Sequence, residues 1–414
     1  MRTAPVTPDD SVPKAPAPGV GSARGASAPE ARSDRLLVVS HPAVVSVNQE
    51  VYRELSKRGW QVAIVVPSRW RHTYAAGAVR PQALAGLEGS LLPTPVALAG
   101  RPQRHFYLAR CRGIARRFRP DVAFLEAEPF SLAAVQWGAA LRSLRIPFGV
   151  QSYENIDRSF PRPVGWLRSR VLRDATFVAA RSDTAGQLVR RWGASGEVGL
   201  APPAVPSWER LPEAAAATTA TATASGKFTI GYAGRLVPSK GLDDLLEAVR
   251  MMQAPVELLL IGDGEMRAQL EGQPIPGSRV RVIDDLTHAE MPAGYAQIDV
   301  LVLPSRTTPT WKEQFGRVIV EALWCGVPVV GSDSGEIPWL IGLTGGGVVF
   351  PEGDRAALAT ELARLRDQPE VRERFAAAGN AQVRRLFTVP AATDALERLL
   401  DHAVHARAGG APPR

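Results

Sequence analysis

Short apolar runs alternate with helix-length amphipathic segments along most of this chain. DRLLVVSHP contains a run of strand length that ends near Ser40, and WQVAIVVP contains a second. Between them, Asn48 to Arg58 carry apolar side chains at helical spacing, and Gly59 supplies a stop signal. Because runs rich in Val, Ile and Leu are typical of strands covered on both faces, the pattern predicts a parallel β-α-β unit.

The same pattern recurs near residue 300. VLVLP ends at Pro304 and VPVVGS starts at Val327, and both have the length and β-branched content of buried strands. The apolar segment from Arg317 to Cys325 follows Gly316 and is ended by Gly326, which predicts a helix between the two strands. The fold class expected is α/β with parallel sheets.

Two stretches without apolar periodicity divide the chain. Residues 1–34 are rich in Pro, Ala, Gly and Ser and lack the hydrophobic region of a secretory signal, which predicts a disordered tail. The Ala/Thr tract within residues 206–226 predicts a linker. We therefore expect one domain at residues 35–205 and another at 227–388, with a last helix and tail at 389–414.

Composition narrows the class of protein. In 414 residues, 45% hydrophobic and 22% charged side chains are typical of a packed soluble protein. Only two cysteines are present, far apart, which fits a reducing, cytoplasmic location, and no run approaches the ~18 apolar residues of a membrane span. The net charge of +8 favours an anionic partner, but no nucleic-acid-binding motif accompanies it, so nucleic acid is not expected.

Two basic segments have two possible interpretations. Residues 101–119 carry seven arginines, and Leu108, Cys111, Ala115 and Phe118 recur there at helical spacing, which predicts an amphipathic helix. The basic surface is either a solvated outer face or an interface for anionic lipid, and a second cluster around Trp166 supports the lipid interpretation.

The stretch EQFGRVIVE holds the candidate chemistry of the second domain. Glu313 precedes the predicted helix and Glu321 lies inside it, while the amides of Phe315 and Gly316 face outward at its positive end. Carboxylates repel a bare phosphate but accept hydrogen bonds from hydroxyl groups, so the pair is expected to hold a sugar. The alternative is that both glutamates are solvated surface charges.

A glycine turn and two cations open the same domain. GYAGRLVPSKG places Gly234 after a strand, and Arg235 and Lys240 flank a tight loop where both could meet a diphosphate. Gly262 and Asp263 follow the next strand, where small residues allow close approach of a nucleotide. Taken alone, the two cations could also be ordinary surface charges.

These motifs resemble, in their order and spacing, the C-terminal domain of the retaining GT-B glycosyltransferases called family 4, or glycosyl transferases group 1. The resemblance runs from GYAGRLVPSKG through EQFGRVIVEALWCGVPVVGSDSGEIP to Pro338 and covers about the last half of the chain. It implies two Rossmann-like domains facing a cleft, with the last helix crossing back to the first domain.

The resemblance also implies roles for single residues. Arg235 and Lys240 would bind the donor diphosphate, Glu313 the hexose hydroxyls and Glu321 the ribose, while backbone groups of Ile283 and Leu286 would meet the base. It implies retention of configuration, a nucleotide sugar as donor, a lipid-linked or saccharide acceptor, and neither metal nor cofactor. The Asp243-Asp244 and Asp284-Asp285 pairs do not form a metal triplet.

The first domain departs from the family pattern in two places. The family's glycine-rich first loop is replaced by HPAVVSVNQ, where His41 is either an acceptor-side residue or a packing histidine. The family's histidine near the reacting carbon is also missing, and Glu154 is the expected catalytic substitute, with Asn155 beside it. Glu128 matches a Glu-Pro pair of some members, although a cap or salt bridge would explain either glutamate.

Other functions fit parts of the same sequence. A nucleotide-sugar epimerase shares the two-domain fold without needing an acceptor, and a catalytically inactive binding protein could retain it as well. The combination of Arg235, Lys240, Glu313 and Glu321 favours sugar transfer over both. A small soluble acceptor is the alternative to a lipid-linked one.

Overall fold

A computed structural model of the chain describes residues 32–71, 78–205, 208, 227–271, 273, 275–284 and 286–408. Residues 1–31 of the expected tail, most of the expected linker at 206–226, Asp285 and the end of the chain from 409 lie outside the described residues. None of the described helices combines the length and the apolar composition that crossing a membrane requires.

The first half of the described chain is built on a parallel sheet of seven strands in the order β11-β10-β9-β8-β1-β2-β5. Its strands, together with four short ones, are β1 (Arg35–Ser40), β2 (Gln61–Pro67), β3 (Trp70–Arg71), β4 (Ala78–Val79), β5 (Leu91–Thr94), β6 (Val96–Ala97), β7 (Phe106–Tyr107), β8 (Val122–Glu126), β9 (Phe148–Ser152), β10 (Phe177–Ala180) and β11 (Glu197–Leu200). Its helices are α1 (Glu50–Lys57), α2 (Cys111–Phe118), α3 (Leu132–Ser143), α4 (Arg162–Asp174) and α5 (Asp183–Arg191).

The second half is built on a parallel sheet in which six described strands follow the order β14-β13-β12-β15-β16-β17. The strands are β12 (Phe228–Ala233), β13 (Val256–Ile261), β14 (Arg279–Ile283), β15 (Val300–Leu303), β16 (Val329–Ser332) and β17 (Gly347–Phe350). The helices are α6 (Leu242–Met251), α7 (Arg267–Glu271), α8 (Met291–Tyr295), α9 (Arg317–Trp324), α10 (Ile337–Thr344), α11 (Arg355–Asp367), α12 (Pro369–Leu386) and α13 (Val389–Ala408).

Burial follows the apolar runs. Four central strands, β1, β8, β12 and β15, are buried along almost their whole length because helices cover both faces of each sheet. In each sheet the chain starts at a central strand, adds strands on one side, and then adds all later strands on the other side. The strand order therefore reverses between β1 and β8 in the first sheet and between β12 and β15 in the second. At such a switch point the loops diverge and leave a crevice at the carboxyl ends of the strands.

The last helix, α13, packs on the first half. Leu396, Leu399 and Leu400 are buried in the same core cluster as strands β1 and β2. Trp60 Nε1 donates to Glu397 Oε1 over 2.9 Å, which adds a polar contact between α13 and the first half. The helix therefore joins residues that are more than three hundred positions apart in the sequence.

The prediction of one helix through residues 101–119 was wrong in its first part. Helix α2 begins only at Cys111, and Phe106 and Tyr107 form β7, which pairs antiparallel with β6. The reason is tertiary: the Gln136 side chain of α3 binds both the amide and the carbonyl of Tyr107, at 2.9 and 2.8 Å. Leu108, expected on the apolar stripe, is consequently 63% exposed.

Candidate active site

Two adjoining cavities lie at the carboxyl edge of the second sheet. The smaller lies at the switch point, between the loops that follow β12 and β15, and the larger lies among the segments that follow β12, β13 and β14. The larger has a volume of about 830 Å³ and the smaller of about 280 Å³, and both are lined by the turn Gly234-Arg235. The larger cavity collects the predicted donor-binding residues Gly262, Asp263, Ile283, Leu286 and Glu321. The smaller collects Lys240, Glu313 and Gly316.

Glycines shape the larger cavity because the two loops come very close together. Gly234 and Gly262 have φ angles of 141° and 139°, which residues with a side chain rarely adopt. A Cβ atom at Gly262 would lie 2.0 Å from the carbonyl oxygen of Gly234. Any larger residue there would push the two loops apart and deform the wall of the cavity.

The predicted cations and the first glutamate meet in the smaller cavity. Lys240 Nζ donates to Glu313 Oε2 over 2.5 Å and lies 4.6 Å from the ring centroid of Trp311. Ser305 Oγ donates to the same carboxylate oxygen over 2.9 Å. Arg235 is half-buried and lines both cavities. It would therefore contact the central part of a ligand that occupies both.

Phe315 and Gly316, in the loop before α9, have different surroundings. The Phe315 side chain is buried in the core, 6.4 and 6.0 Å from the rings of Trp339 and Phe387. Gly316, with a φ angle of 72°, is the N-cap of α9 and lines the smaller cavity. The positive end of the helix therefore faces this cavity, as the sequence pattern predicts.

Glu321 is buried in the wall of the larger cavity. Its Oε2 accepts a hydrogen bond of 2.9 Å from the hydroxyl of Tyr295, whose pKa burial raises well above its ordinary value. His288 lines the same cavity, and burial lowers the pKa of its imidazole. The carboxylate is thus fixed in place with its remaining acceptor capacity available to a hydroxyl group.

Glu154, expected at the reacting carbon, and Asn155, expected on the acceptor side, lie where the first half touches the second. Asn155 Nδ2 donates to the carbonyl of Glu313 over 2.7 Å. Both carboxylate oxygens of Glu154 are occupied, one by the amide of Ile156 at 3.1 Å and the other by Nε of Arg158 at 3.0 Å. These contacts suit a role in holding the two halves together.

The remaining acceptor-side candidates are buried in the first half. Glu128 accepts hydrogen bonds from Ser152 Oγ at 2.8 Å and from the amide of Tyr153 at 2.6 Å, and burial raises its pKa to about 7. His41 packs in an aromatic cluster, with ring centroids 4.9 Å from Trp70 and 5.2 Å from His105. The structure therefore gathers the second-half candidates in one place and spreads those of the first half.

Sequence reasoning missed three residues that hold the predicted ones. Ser305 and Trp311 fix Glu313 and Lys240, and Tyr295 fixes Glu321. Ser305 follows a predicted strand at the edge where ligands bind, and that position could have identified it. For Tyr295 no sequence signal exists, because its contact with Glu321 joins two different helices.

Two family models match the chain, one on each half. The model described as Glycosyl transferases group 1 matches residues 217–382, and the model described as Glycosyl transferase 4-like domain matches residues 43–203. The first match contains all the predicted donor-binding residues, and together the two cover most of the chain.

Curated relatives are similar over part of their length. A lipopolysaccharide core biosynthesis glycosyltransferase of Rhizobium meliloti is 32% identical over 45% of this chain and 52% of its own length. A phosphatidyl-myo-inositol mannosyltransferase of Mycobacterium leprae is 34% identical over 38% of this chain and 42% of its own length. The chain thus spans about half the length, or less, of these two relatives.

Solved structures agree with the fold. HepE of Anabaena, in complex with UDP-glucose, matches with a TM-score of 0.63 at 18% identity and covers 89% of this chain and 99% of that chain. The two parallel sheets and the cleft-lining loops therefore form a GT-B fold.

Proposed function

Because the chain belongs to the glycosyl transferases group 1 family, we propose that it transfers a hexose-type sugar from a nucleotide-diphosphate sugar to a hydroxyl acceptor. The observation that carries this proposal is the convergence of two cations, Arg235 and Lys240, and two buried carboxylates, Glu313 and Glu321, on two adjoining cavities. A nucleotide sugar has hydroxyl groups at both ends, which carboxylates can bind, and a diphosphate between them, which cations can bind.

The donor lies across both cavities. The nucleoside occupies the larger one, where Glu321 accepts from the ribose hydroxyls and backbone groups of Ile283 and Leu286 meet the base. The diphosphate lies over Arg235, and the sugar occupies the smaller cavity beside Glu313 and the amide end of α9. This order follows from charge, since Arg235 lines both cavities, whereas Glu321 lines the larger and Glu313 the smaller.

Catalysis is electrostatic and needs no metal or cofactor. As the bond from the sugar's anomeric carbon to the phosphate breaks, negative charge grows on the departing diphosphate, and Arg235 and Lys240 stabilise it in place. Lys240 is held ready for this by Glu313 and the Trp311 ring.

Transfer retains the anomeric configuration. Double displacement would need a carboxylate nucleophile beneath the sugar ring, but Glu313 is held by Lys240 and Ser305 as a hydroxyl-binding group. The acceptor oxygen therefore bonds to the anomeric carbon on the face that the phosphate leaves. The departing phosphate oxygen takes the acceptor's proton, so this step needs no protein base. Glu154 instead helps to hold the two halves together at the cleft.

The acceptor is lipid-linked or a saccharide, and transfer takes place at the cytoplasmic face of an anionic membrane during synthesis of cell-envelope or extracellular glycans. The named activities of both relatives concern such molecules. All seven arginines of residues 101–119 are exposed, next to the exposed side chains of Leu98, Phe106 and Leu108. Basic charge beside exposed apolar side chains is typical of surfaces that bind anionic lipid.

The donor is tested by thermal shift against UDP-, GDP- and ADP-sugars, followed by measurement of nucleoside diphosphate release. One nucleotide class should raise the melting temperature, because it binds only the folded state. If none of the three classes gives either a raised melting temperature or nucleoside diphosphate release, the proposal is contradicted. An isomerised donor sugar formed without acceptor would instead identify an epimerase.

The membrane surface is tested by co-sedimentation with phosphatidylglycerol vesicles. Wild-type protein should sediment with them at low salt, and a variant with three arginines of α2 reversed should stay in the supernatant: Arg112→Glu, Arg116→Glu and Arg117→Glu. The matched control reverses three exposed arginines of the last two helices: Arg374→Glu, Arg385→Glu and Arg398→Glu. Equal sedimentation of both variants would rule out a specific basic face.

A further inference from the structure

Lys240 and Ser305 reach the same carboxylate oxygen from two different segments of the second half. Lys240 ends a short 3₁₀ turn, Pro238–Lys240, and Ser305 follows β15. Both donate to Oε2 of the buried Glu313, at 2.5 and 2.9 Å. Because hydrogen bonds weaken steeply when their distances or angles change, the two donor segments need a fixed separation.

Arg306, the residue after Ser305, binds the other segment at two points. Its backbone amide donates to the carbonyl of Ser239 over 2.9 Å. Its guanidinium binds the carboxylate of Asp244, with Nε donating to Oδ2 over 2.6 Å and Nη2 donating to Oδ1. Ser239 and Asp244 lie on either side of Lys240 in the sequence. Arg306 therefore fixes the chain both before and after Lys240.

Asp244 lies in the first turn of α6 and is 1% exposed. Its amide donates to the carbonyl of Gly241, the N-cap of that helix, over 3.0 Å. Gly241 has a φ angle of 66°, and a Cβ atom there would lie 1.9 Å from the carbonyl oxygen of Pro304. The start of α6 thus lies directly against the chain that leads from β15 to Ser305, and the ion pair joins the same two segments.

A second guanidinium binds the same carboxylate from outside these segments. Nε of Arg355, the first residue of α11, donates to Asp244 Oδ1 over 2.8 Å. Burial raises the pKa of Asp244, but its hydrogen bonds to the two guanidinium groups hold that pKa below the usual range. Buried ion pairs add little net stability because desolvation offsets their attraction, whereas the planar fork of an arginine fixes the orientation of its partner.

We propose that Asp244 and Arg306 are positioning residues for the donor site. They hold the segments of Lys240 and Ser305 at the separation at which both bind Glu313. The inference rests on the proposed glycosyl transfer, in which Lys240 stabilises the departing diphosphate. Because that charge grows only as the bond breaks, a displaced Lys240 weakens binding of the transition state more than binding of the donor.

The first test does not depend on activity. The Lys240 ammonium lies 4.6 Å from the centroid of the Trp311 ring, so fluorine NMR of protein labelled with 5-fluorotryptophan reports on it, and Trp311→Phe assigns the resonance. Arg306→Ala should move the Trp311 resonance in the direction in which Lys240→Ala moves it. Arg355→Ala is the matched control: it removes the other guanidinium from Asp244 and should leave the resonance in place.

The second test is kinetic. Nucleoside diphosphate release is measured with UDP-glucose, UDP-N-acetylglucosamine, GDP-mannose and ADP-glucose, and the donor that the wild type turns over fastest is kept. Arg306→Ala should lower kcat about tenfold and change the KM for the donor less than about twofold, because a small misplacement of a group that acts in the transition state is costly. Asp244→Asn should lower kcat likewise, and Arg355→Ala should keep the wild-type value.

A double-mutant cycle shows whether Arg306 acts through Lys240. In a Lys240→Ala background, Arg306→Ala should cause little further loss of kcat, because the group that it positions is already gone. Arg306→Lys, which keeps a cation, should recover part of the loss. Melting temperatures of all variants show that each is folded at the temperature of the assay.

The outcomes separate this inference from the proposed function. An unmoved Trp311 resonance in Arg306→Ala, an equal effect of Arg355→Ala, or the same loss of kcat with and without Lys240 would each overturn the positioning role, while the transferase proposal stands. If the wild type turns over none of the four donors, the proposed function fails, and the fluorine spectra still decide whether Arg306 positions Lys240.

Discussion

The two sheets share a strand order but differ in chemistry at their switch points. In the second sheet, glycine turns open a wide crevice, and Arg235 and Lys240 face it together with the amide end of a helix. In the first sheet, side chains with hydroxyl, carboxylate and amide groups close around a cavity of about 190 Å³. The same backbone topology thus presents cations and helix amides in one half and a network of hydroxyl, carboxylate and amide groups in the other.

The difference shows how little the topology alone specifies. A parallel sheet places loops and helix ends at one edge, and that edge favours polar ligands in general. Backbone that comes close enough for a nucleotide requires glycine, as at Gly262, whereas hydroxyl recognition requires acceptors such as the Glu126 carboxylate. Side chains at a few positions therefore decide which chemical groups each half presents at this edge.

The two regions are also joined directly. Asn155 of the first half donates to the carbonyl of Glu313, and Arg158 Nη2 donates to the carbonyl of Thr310 over 2.7 Å. Both acceptors belong to the loop before α9, which carries Glu313. The position of Glu313 thus depends on the first half as well as on the second.

The largest effect is expected from removing a cation at the switch point of the second sheet. Arg235→Ala should reduce the turnover number roughly 10²–10³-fold, because a preorganised charge that stabilises the leaving group is lost. Steady-state kinetics with the preferred nucleotide sugar measures this. Arg374→Ala, an exposed arginine on α12, is the control, and equal turnover in both variants would remove Arg235 from the mechanism.

The stability of the first half should depend on pH through the buried carboxyl of Glu128. Burial raises the pKa of Glu128 to about 7, above the ~4.3 of an exposed glutamate, so the folded state holds the proton more tightly than the unfolded state does. The stability from this group is fully present below about pH 4 and is lost as the pH rises through about 7, an effect of about 4 kcal/mol over the whole range.

Glu128→Gln should remove that dependence. Between pH 4.5 and 8, its free energy of unfolding in urea should rise relative to wild type by about 3 kcal/mol. Glu370→Gln, at an exposed position on α12, should run parallel to wild type. A constant difference between Glu128→Gln and wild type would show that the carboxyl is ionised throughout.

The close approach of the two glycine turns beside the larger cavity can be tested by adding a methyl group at Gly262. Gly262→Ala should destabilise the protein by about 1–3 kcal/mol, because a Cβ would meet the Gly234 carbonyl at a positive φ angle. Gly342→Ala, in the middle of α10 with open space around it, should be neutral or stabilising by up to about 1 kcal/mol. Similar melting temperatures for both variants would contradict the close approach.

The smallest effect should come from the contact between the halves. Asn155→Ala removes one buried hydrogen bond to the Glu313 carbonyl, which is worth about 1 kcal/mol and corresponds to a several-fold loss in kcat/KM. Gln187→Ala, an exposed change on α5, should leave kcat/KM unchanged. An unaltered value for Asn155→Ala would show that the first half does not help to position the loop before α9.

Most of the secondary structure around the donor site could be predicted because local pattern and tertiary environment agree there. Helix α9 (Arg317–Trp324) lies within the segment from Arg317 to Cys325 that the pattern predicts as helical. Residues 101–119 show the opposite case: their helical spacing is real, but Gln136 on another helix binds the backbone of Tyr107 and holds it in a strand. Periodicity cannot register a partner that is distant in sequence.

By itself the sequence determined the parallel α/β fold, and it predicted a set of candidate donor-binding residues that the structure brings together, because strands, glycine turns and the residues of EQFGRVIVE all lie within short segments whose geometry is local. Only the tertiary structure decided where Glu154, Asn155 and His41 lie, and that Glu126 and Arg181 meet beside a cavity. Those positions depend on contacts between strands and helices far apart in the chain. The arrangement of the first half is therefore set by packing, which no local pattern records.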